Sequence, residues 1–363
     1  MTASLTSGNP ATTESPPGPA RRRHVPTSVW TAAMTAVLVA SATVAVTIGS
    51  ADIGALDVWR SIGSHVGLER VGFQTSLSEL RDGIVWELRL PRVLTAAAVG
   101  AALAICGAVM QTLTRNPLAE PYLLGLSSGA SVGAVVVLVL GVGTLGLPVA
   151  AFAGALLALA ATLALASRRG ELPPTRTILA GLAVSYLCSA VTSFVIFWSA
   201  TGDSYRSILS WLLGSLGGAS WNDVAVVSAA VAVVGTALMS RSRTLDAFAF
   251  GDGAASNLGI NVNATRWTML ALVALLTGAA VAVSGAIGFV GLMLPHAVRL
   301  LVGAGHRRVL PLAALAGASF MIWADTVART VFDPRELPVG VVTAFLGAPA
   351  FAVLLRRRKV GRA

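Results

Sequence analysis

One uninterrupted apolar run, residues 93–113, limits the fold more than any other feature of this sequence. It contains no charged side chain, and a helix of about 20 such residues crosses a hydrocarbon core roughly 30 Å thick. Similar runs recur through the chain. They do not alternate between polar and apolar residues, as the strands of a membrane barrel would. The sequence therefore predicts an all-α polytopic membrane protein.

Ten apolar runs account for most of the chain, in which only 12% of residues are charged. That share is about half of the share in an ordinary soluble domain, which is about 25%. The predicted transmembrane helices cover residues 29–48, 93–113, 122–142, 149–166, 177–199, 224–239, 267–284, 286–302, 310–327 and 339–355.

We expect three regions along the chain. Residues 1–28 are rich in Thr, Ser, Pro and Gly and cannot bury a core, so we expect a disordered cytoplasmic tail. Residues 29–356 form the ten-helix transmembrane domain, and residues 357–363 form a basic cytoplasmic tail.

The net charge of +10 comes from arginines that cluster at the ends of the apolar runs. Ten spans place both termini on one side, and the loops of that side hold most of these arginines, including Arg168, Arg241 and Arg307. The positive-inside rule makes that side cytoplasmic. A basic face with interleaved aromatic residues is absent, so we expect no nucleic-acid partner. The two cysteines lack metal-ligand spacing, so we expect neither a bound metal nor a cofactor.

A polar turn with two prolines follows the run at residues 93–113. Asn116, Pro117 and Pro121 make this turn stiff, because proline fixes φ and cannot continue a helix. Two interpretations stay open: the turn only ends a helical hairpin, or it presents a structure that a partner protein contacts. Three glycines spaced four apart, within residues 125–133, then predict a helix face that allows another helix to approach closely.

A second glycine-rich segment lies near the eighth run. Gly288 and Pro295 allow a kink and close packing within the membrane. His296 follows directly, and a lone intramembrane histidine suggests a proton relay or a metal ligand. Because no second ligand lies nearby in the sequence, a hydrogen-bonding role near the helix end is favoured.

Asp325 is nearly alone as an acidic residue inside a predicted span. An acid at this depth is costly unless it is paired or lines a cavity. Arg329 lies four residues later, a spacing that places both side chains on one face of a helix. We therefore expect a structural ion pair.

Residues 240–266 are polar and are interrupted by glycines, so they cannot form one long helix. Two short amphipathic helices on the cytoplasmic side are the favoured interpretation, with a disordered loop as the alternative and partner docking as the functional possibility. The chain carries no phosphate-binding loop, zinc spacing or nucleophile elbow. It is therefore predicted not to be an enzyme, and any ATP hydrolysis belongs to another chain.

Several segments in order along the chain resemble the permease family of type II ABC importers for ferric siderophores, cobalamin and haem. They are LRLPR at residues 88–92, NPLAEP at 116–121, the glycine-rich 285–296, HR at 306–307 and ELPVG at 336–340. The resemblance implies the ten-helix fold of that family and two permease subunits, identical or related, around a central pathway. It also implies two ATP-binding cassette ATPase subunits, an extracytoplasmic substrate-binding lipoprotein and a bacterial cytoplasmic membrane.

The resemblance also assigns roles to residues. Arg89, Arg92 and Arg329 would be outer arginines that engage acidic residues of the binding protein, with electrostatic steering as their physical role. A cytoplasmic loop would contact the ATPase, with Phe250 where leucine is usual and Asp252 where glutamate is common. The residues of this coupling loop that match the family are Phe250, Gly251, Asp252, Ala255, Leu258 and Gly259.

The cargo is the least constrained part of this interpretation. Ferric siderophore is the commonest cargo of the family and is therefore predicted, with cobalamin and haem as alternatives. Residues 210–218 and 336–340, with the fifth and tenth spans, are the candidates for the pathway lining. A transporter driven by an ion gradient is a rival class, but such a protein would need several functional intramembrane acids. A purely structural membrane scaffold is disfavoured by the glycine-rich helix faces.

Overall fold

The computed structural model describes residues 26–359 apart from positions 50, 52, 72–74, 142, 169, 200 and 201, and within these residues it is helical without a β-strand. Most of the predicted N-terminal tail and the last four residues of the predicted C-terminal tail lie outside the described residues. The α-helices are α1 (Thr27–Thr47), α2 (Ala55–His65), α3 (Glu79–Leu113), α4 (Leu126–Leu140), α5 (Gly143–Ala166), α6 (Pro174–Ser199), α7 (Gly202–Leu212), α8 (Trp221–Ser240), α9 (Ser242–Ala249), α10 (Asp252–Asn257), α11 (Val262–Ser284), α12 (Val290–Val302), α13 (His306–Thr330) and α14 (Val339–Lys359).

Each of the ten predicted spans contains a helix. Seven of the described helices are long and apolar enough to cross a membrane, namely α1, α3, α5, α6, α8, α11 and α13. Three shorter apolar helices, α4, α12 and the apolar part of α14, occupy the other three predicted runs. The all-α, ten-span prediction is confirmed. Several boundaries differ; at the C-terminal end, α14 continues through Lys359 and so includes the start of the predicted basic tail.

The apolar run at residues 93–113 lies in α3, the most buried span of the bundle. Helix α13 packs along it, and α1, α8, α11 and α12 also contact it. Gly100 of α3 faces Gly317 of α13, and Gly107 faces Gly291 of α12. A Cβ at either α3 glycine would overlap a carbonyl oxygen of the facing helix. The absent side chains are therefore what allows these backbones to touch.

The glycine face predicted after the double-proline turn is only partly correct. Gly129 and Gly133 of α4 pack against the backbone of α5 at Gly154 and Ala150, as expected. Gly125 does not lie on the helix, since its φ of 79° ends a 3₁₀ turn at Pro121–Leu124. Helix α4 therefore begins at Leu126, several residues later than the predicted run.

The eighth predicted span also begins late. Gly285, with φ 68°, ends α11, and Phe289, with φ 70°, precedes α12, so residues 285–289 break the run before Val290. By contrast, residues 240–266 form two short helices, α9 and α10, as predicted.

The two ends of the bundle differ in charge. We call the end formed by the last turn of α3, by α9 and α10 and by the first turn of α13 the basic end; Arg115, Arg241 and Arg307 lie there. The other end, where α1 finishes and α3 and α14 begin, is called the opposite end.

Candidate functional site

The basic end exposes two large apolar side chains, one directly after each of the short helices α9 and α10. Phe250 is 85% exposed and Leu258 is 71% exposed. Gly251 adopts φ 106°, a conformation that side-chain-bearing residues rarely take, and so allows the chain to turn between the two helices. Ala255 is fully buried beneath them. The segment thus presents apolar side chains outward from a fixed backbone.

A buried arginine anchors α10. Arg266 of α11 donates to Asp252 at 2.8 Å and to the carbonyl oxygen of Leu172 at 3.2 Å. Its guanidinium also lies 5.6 Å from the ring centroid of Phe248, within the range of a cation–π contact. Asp252 therefore holds the segment in place. The contact links α10 to α11 and to the chain before α6.

A buried histidine anchors α9. The imidazole Nδ1 of His306 lies 2.6 Å from Oδ1 of Asp246, and Nε2 lies 2.6 Å from Oγ1 of Thr112. The backbone N–H of His306 also donates to Asp246 at 2.9 Å. Neither Asp246 nor Thr112 was predicted to be a functional residue, because the three positions are far apart in the sequence.

At the opposite end, Arg89 forms hydrogen bonds with the C-terminal end of α1. Its guanidinium donates to the carbonyl oxygens of Val46 at 2.9 Å, Thr47 at 3.1 Å and Ala51 at 2.9 Å. The last carbonyls of a helix have no partner within the helix, so an arginine is well suited to satisfy them. Arg89 is 7% exposed. These contacts give it a structural role that the sequence pattern did not reveal.

Arg92 and Arg329 form a charged cluster with two acids. Arg92 donates to both carboxylate oxygens of Asp325 at 2.9–3.1 Å and to both of Glu336 at 2.9–3.1 Å. Arg329 donates to the carbonyl oxygens of Ala45 and Ile48 at the end of α1.

The intrahelical ion pair expected for Asp325 is the weaker of its contacts. The Nε of Arg329 lies 4.0 Å from Oδ2 of Asp325, whereas the nearest Arg92 nitrogen lies 2.9 Å away. The main partner of Asp325 comes from α3, and its sequence separation of 233 residues hid it from any spacing argument.

The double-proline turn and the break at residues 285–289 lie against each other. The Tyr122 hydroxyl donates to the carbonyl oxygen of Ile287 at 2.7 Å and lies 3.1 Å from the Ile287 nitrogen. The Phe289 N–H donates to Glu120 at 3.0 Å. Backbone that leaves the helix inside a membrane needs such partners, because lipid supplies none. The two sequence motifs are thus one packed unit.

Within this unit, Asn116 Oδ1 accepts a hydrogen bond from the Leu118 N–H at 2.9 Å, which stabilises the turn. Pro121 packs beside Gly291, where a Cβ would lie 3.3 Å from the proline ring.

Gly288, Pro295 and His296 take different places near this unit. Gly288 lies in the break and has open space where a Cβ would project. Pro295 and His296 are buried inside α12, which ends at Val302 as the predicted span does. Pro117 lies in the turn itself.

A cleft of about 1120 Å³ opens between α5, α7, α8 and α11. Its walls are mainly apolar and include Phe152 and Val226, while Arg206 and Asn222 contribute polar groups. The segment 210–218, predicted to line the pathway, contributes part of this lining. The volume exceeds the range of about 300–1000 Å³ typical of small-molecule sites.

Similarity to known proteins identifies the family of the chain. A model of the FecCD transport family matches residues 37–357. The cobalamin import system permease protein BtuC of Halobacterium salinarum is 45% identical over 288 residues, which cover 79% of this chain and 77% of that protein. The hemin transport system permease protein HmuU of Yersinia pestis is 40% identical over 322 residues, which cover 87% and 93%.

A solved structure described as an inward-facing conformation of a metal-chelate type ABC transporter is also similar. It superposes with a TM-score of 0.80 at 31% identity and covers 91% of this chain and 99% of its own. The resemblance inferred from the motifs is confirmed. The chain therefore belongs to the FecCD transport family and is a multi-pass membrane permease of the ABC importer class.

Proposed function

We propose that this chain forms the membrane pathway of an ATP-driven importer of a bulky metal chelate, and that ATP is hydrolysed in a separate subunit that contacts α9 and α10. The observation that carries the proposal is the exposed apolar pair Phe250 and Leu258 on a segment held by two buried anchors. Such a segment offers a partner both contact area and a firm backbone.

The mechanism follows from how the segment is attached. An ATPase that moves on binding or hydrolysing ATP would push α9 and α10, and the anchors would pass the movement to the spanning helices. Helices packed through backbone contacts at glycine have few intermediate arrangements. The push would therefore switch the pathway between outward-open and inward-open states.

The orientation of the chain is part of the same proposal. With the basic end in the cytoplasm, as the positive-inside rule predicts, both termini are cytoplasmic and α9 and α10 face the compartment that holds ATP. A second permease subunit, identical or related, would complete the pathway. Exposed aromatic side chains on α6, including Phe197 and Trp198, are available for lipid or for that subunit.

The ATPase contact is tested with alanine variants. We expect F250A with L258A to abolish co-purification of the ATPase subunit, since both side chains would lie in the contact. Leu80 is 77% exposed at the opposite end, and L80A should leave co-purification unchanged. Full retention of the ATPase by the double variant would contradict the proposed contact.

For the cargo, we propose cobalamin first and haem second. One relative is named as a cobalamin permease and another as a hemin permease, and neither name mentions a ferric siderophore. The large apolar cleft suits a bulky ring-shaped chelate. The ferric siderophore predicted from family frequency remains a prediction, without support from these relatives.

The cargo test uses proteoliposomes that contain the permease, its ATPase and its binding protein. We expect ATP-dependent uptake of radiolabelled cobalamin. Uptake of haem or of a ferric hydroxamate instead would reassign the cargo. Uptake that persists with a hydrolysis-deficient ATPase and an imposed ion gradient would favour the rival class of secondary transporter.

Docking of an extracytoplasmic binding lipoprotein is proposed at the opposite end. Arg89 and Arg329 are occupied by α1 carbonyl oxygens, so we place the docking contact at Arg92, whose second partner, Glu336, is 49% exposed. An acidic residue of the binding protein would compete with Glu336 for the guanidinium. We therefore expect E336Q to strengthen docking in a pull-down. Unchanged or weaker docking would count against Arg92 as the contact.

A further inference from the structure

A single histidine joins three helices at the basic end. Asp246, which bonds Nδ1 of His306, lies on α9; His306 is the first residue of α13; and Thr112, which lies beside Nε2, is in the last turn of α3. His306 is 2% exposed and the Asp246 side chain is 38% exposed, so the imidazole is shielded from water while the carboxylate is partly open to it. Hydrogen bonds in such an environment are stronger than the same bonds at the surface.

The carboxylate of Asp246 holds α13 in two ways. Its Oδ1 accepts from the imidazole Nδ1 and from the backbone N–H of His306. The first N–H groups of a helix lack partners within the helix, and the N-terminus carries a partial positive charge that favours an acid. Helix α9 is therefore fastened to the end of α13 through one carboxylate.

Helices α3 and α13 are also fixed to each other along their length. Gly100 and Gly317 bring their backbones into contact, and Arg92 bonds Asp325 near the opposite end. Between His306 and Asp325 lie 19 helical steps, or about 28 Å at 1.5 Å per residue. The Thr112 contact closes the other end of the pair. Joined at three levels, α3 and α13 should move as one body.

The second anchor differs in what it reaches. Asp252 and Arg266 tie α10 to α11 and to the carbonyl oxygen of Leu172, but not to α3 or α13. Among the described residues, the hydrogen bonds of Asp246 on α9 to the α3–α13 pair converge on His306, at its backbone N–H and its imidazole, and the imidazole continues the contact to Thr112 of α3.

We propose that His306 is a positioning residue that transmits movement between α9 and the α3–α13 pair, and so couples the ATPase cycle to the opening of the pathway. The inference rests on the proposed contact between the ATPase subunit and α9–α10. The imidazole suits this role because its two nitrogens, at different edges of one rigid ring, contact Asp246 and Thr112 at once.

The test compares three variants in the assembled complex. Thr112→Val keeps the side-chain shape and removes the hydroxyl that contacts His306 and the Ala108 carbonyl oxygen of its own helix, leaving the Asp246 contacts in place. His306→Gln replaces the imidazole with a shorter amide group, which cannot span the distance between Asp246 and Thr112 as the ring does. His65→Gln is the matched control, because His65 lies near a carboxylate, 3.4 Å from Asp82, at the opposite end. Three quantities are measured for each complex: co-purification of the ATPase, the rate of ATP hydrolysis, and the amount of cargo transported per ATP hydrolysed. The cargo is radiolabelled cobalamin, or haem if the wild type transports haem.

We expect T112V and H306Q to retain the ATPase and to hydrolyse ATP, while transport per ATP falls about fivefold or more, the lower bound of a typical coupling energy. H65Q should match the wild type. The double variant should be no worse than H306Q, because both substitutions interrupt one route.

Unchanged transport per ATP in T112V and H306Q would overturn the inference. So would loss of transport only in parallel with loss of assembled complex, because the junction would then serve folding alone. If H306Q does not fold, T112V decides the question by itself. A wild-type complex that transports nothing with ATP would instead overturn the proposed function, and the two failures are thus distinguishable.

Discussion

Asp325→Asn removes one charge from the cluster at the opposite end and changes almost no volume. The Asp325 side chain is 2% exposed, lies 2.9 Å from Arg92 and lies 4.0 Å from Arg329. After the substitution, both arginines stay buried, and Glu336 is the acid that remains bonded to Arg92. The change therefore isolates the effect of an uncompensated buried charge.

The structure sets the size of the effect. Removing one partner of a buried ion pair costs about 3–5 kcal/mol of unfolding free energy. Glu336 bonds the same arginine but is about half exposed, and exposed pairs contribute about 0–1 kcal/mol. We therefore expect Asp325→Asn to cost at least about 2 kcal/mol more than Glu336→Gln, roughly a 30-fold difference in the folded-to-unfolded ratio.

The assay is unfolding of the purified permease in mixed micelles, followed by tryptophan fluorescence with increasing denaturing detergent. The variants Asp325→Asn, Arg92→Gln and Glu336→Gln are compared with the double variant of Asp325 and Arg92. The double variant should cost less than the sum of its singles, because no lone charge then remains at that contact. Equal losses for Asp325→Asn and Glu336→Gln would refute the argument that burial decides the contribution.

Two further substitutions, each with a control substitution, test the packing and the break in the membrane. Gly317→Ala should destabilise the protein by about 1–3 kcal/mol, because the added Cβ overlaps α3. Gly83→Ala has open space at its Cβ and should stabilise the protein by up to about 1 kcal/mol through helix propensity. The same micelle assay should give changes in unfolding free energy of opposite sign, and changes of equal sign would contradict the argument. Tyr122→Phe should lower the unfolding free energy by about 1–3 kcal/mol, because the Ile287 backbone loses its hydrogen-bond partner. Tyr186 is 70% exposed, and Tyr186→Phe should leave the unfolding free energy unchanged. Equal effects would show that the break at residues 285–289 does not depend on the Tyr122 hydroxyl.

Sequence alone was sufficient for the features that depend on local pattern. Ten apolar runs predicted ten helices. Lipid offers no hydrogen-bond partner, so the backbone N–H and C=O groups of each span must bond to one another, as they do in a helix. The glycines at positions 251, 253 and 259 likewise predicted that residues 240–266 form short helices rather than one long helix. The motifs at residues 116–121 and 285–296 were sufficient to suggest the family.

Tertiary structure decided which side chains meet. Asp325 has its near neighbour Arg329 in the sequence, yet its principal partner is Arg92 on another helix. The family resemblance implied that Arg89 is an outer arginine that engages a binding protein, and the structure places its guanidinium against the end of α1. No spacing rule connects such positions.

The physical reason is the range of each interaction. Whether a segment is helical and apolar depends on residues within a few turns, and those are read directly from the chain. Whether His306 joins α9 to α3, or Tyr122 satisfies the break at Ile287, depends on helices brought together by close contacts at glycine. Hydrogen bonds need atoms about 3 Å apart, and only the folded bundle fixes distances that finely.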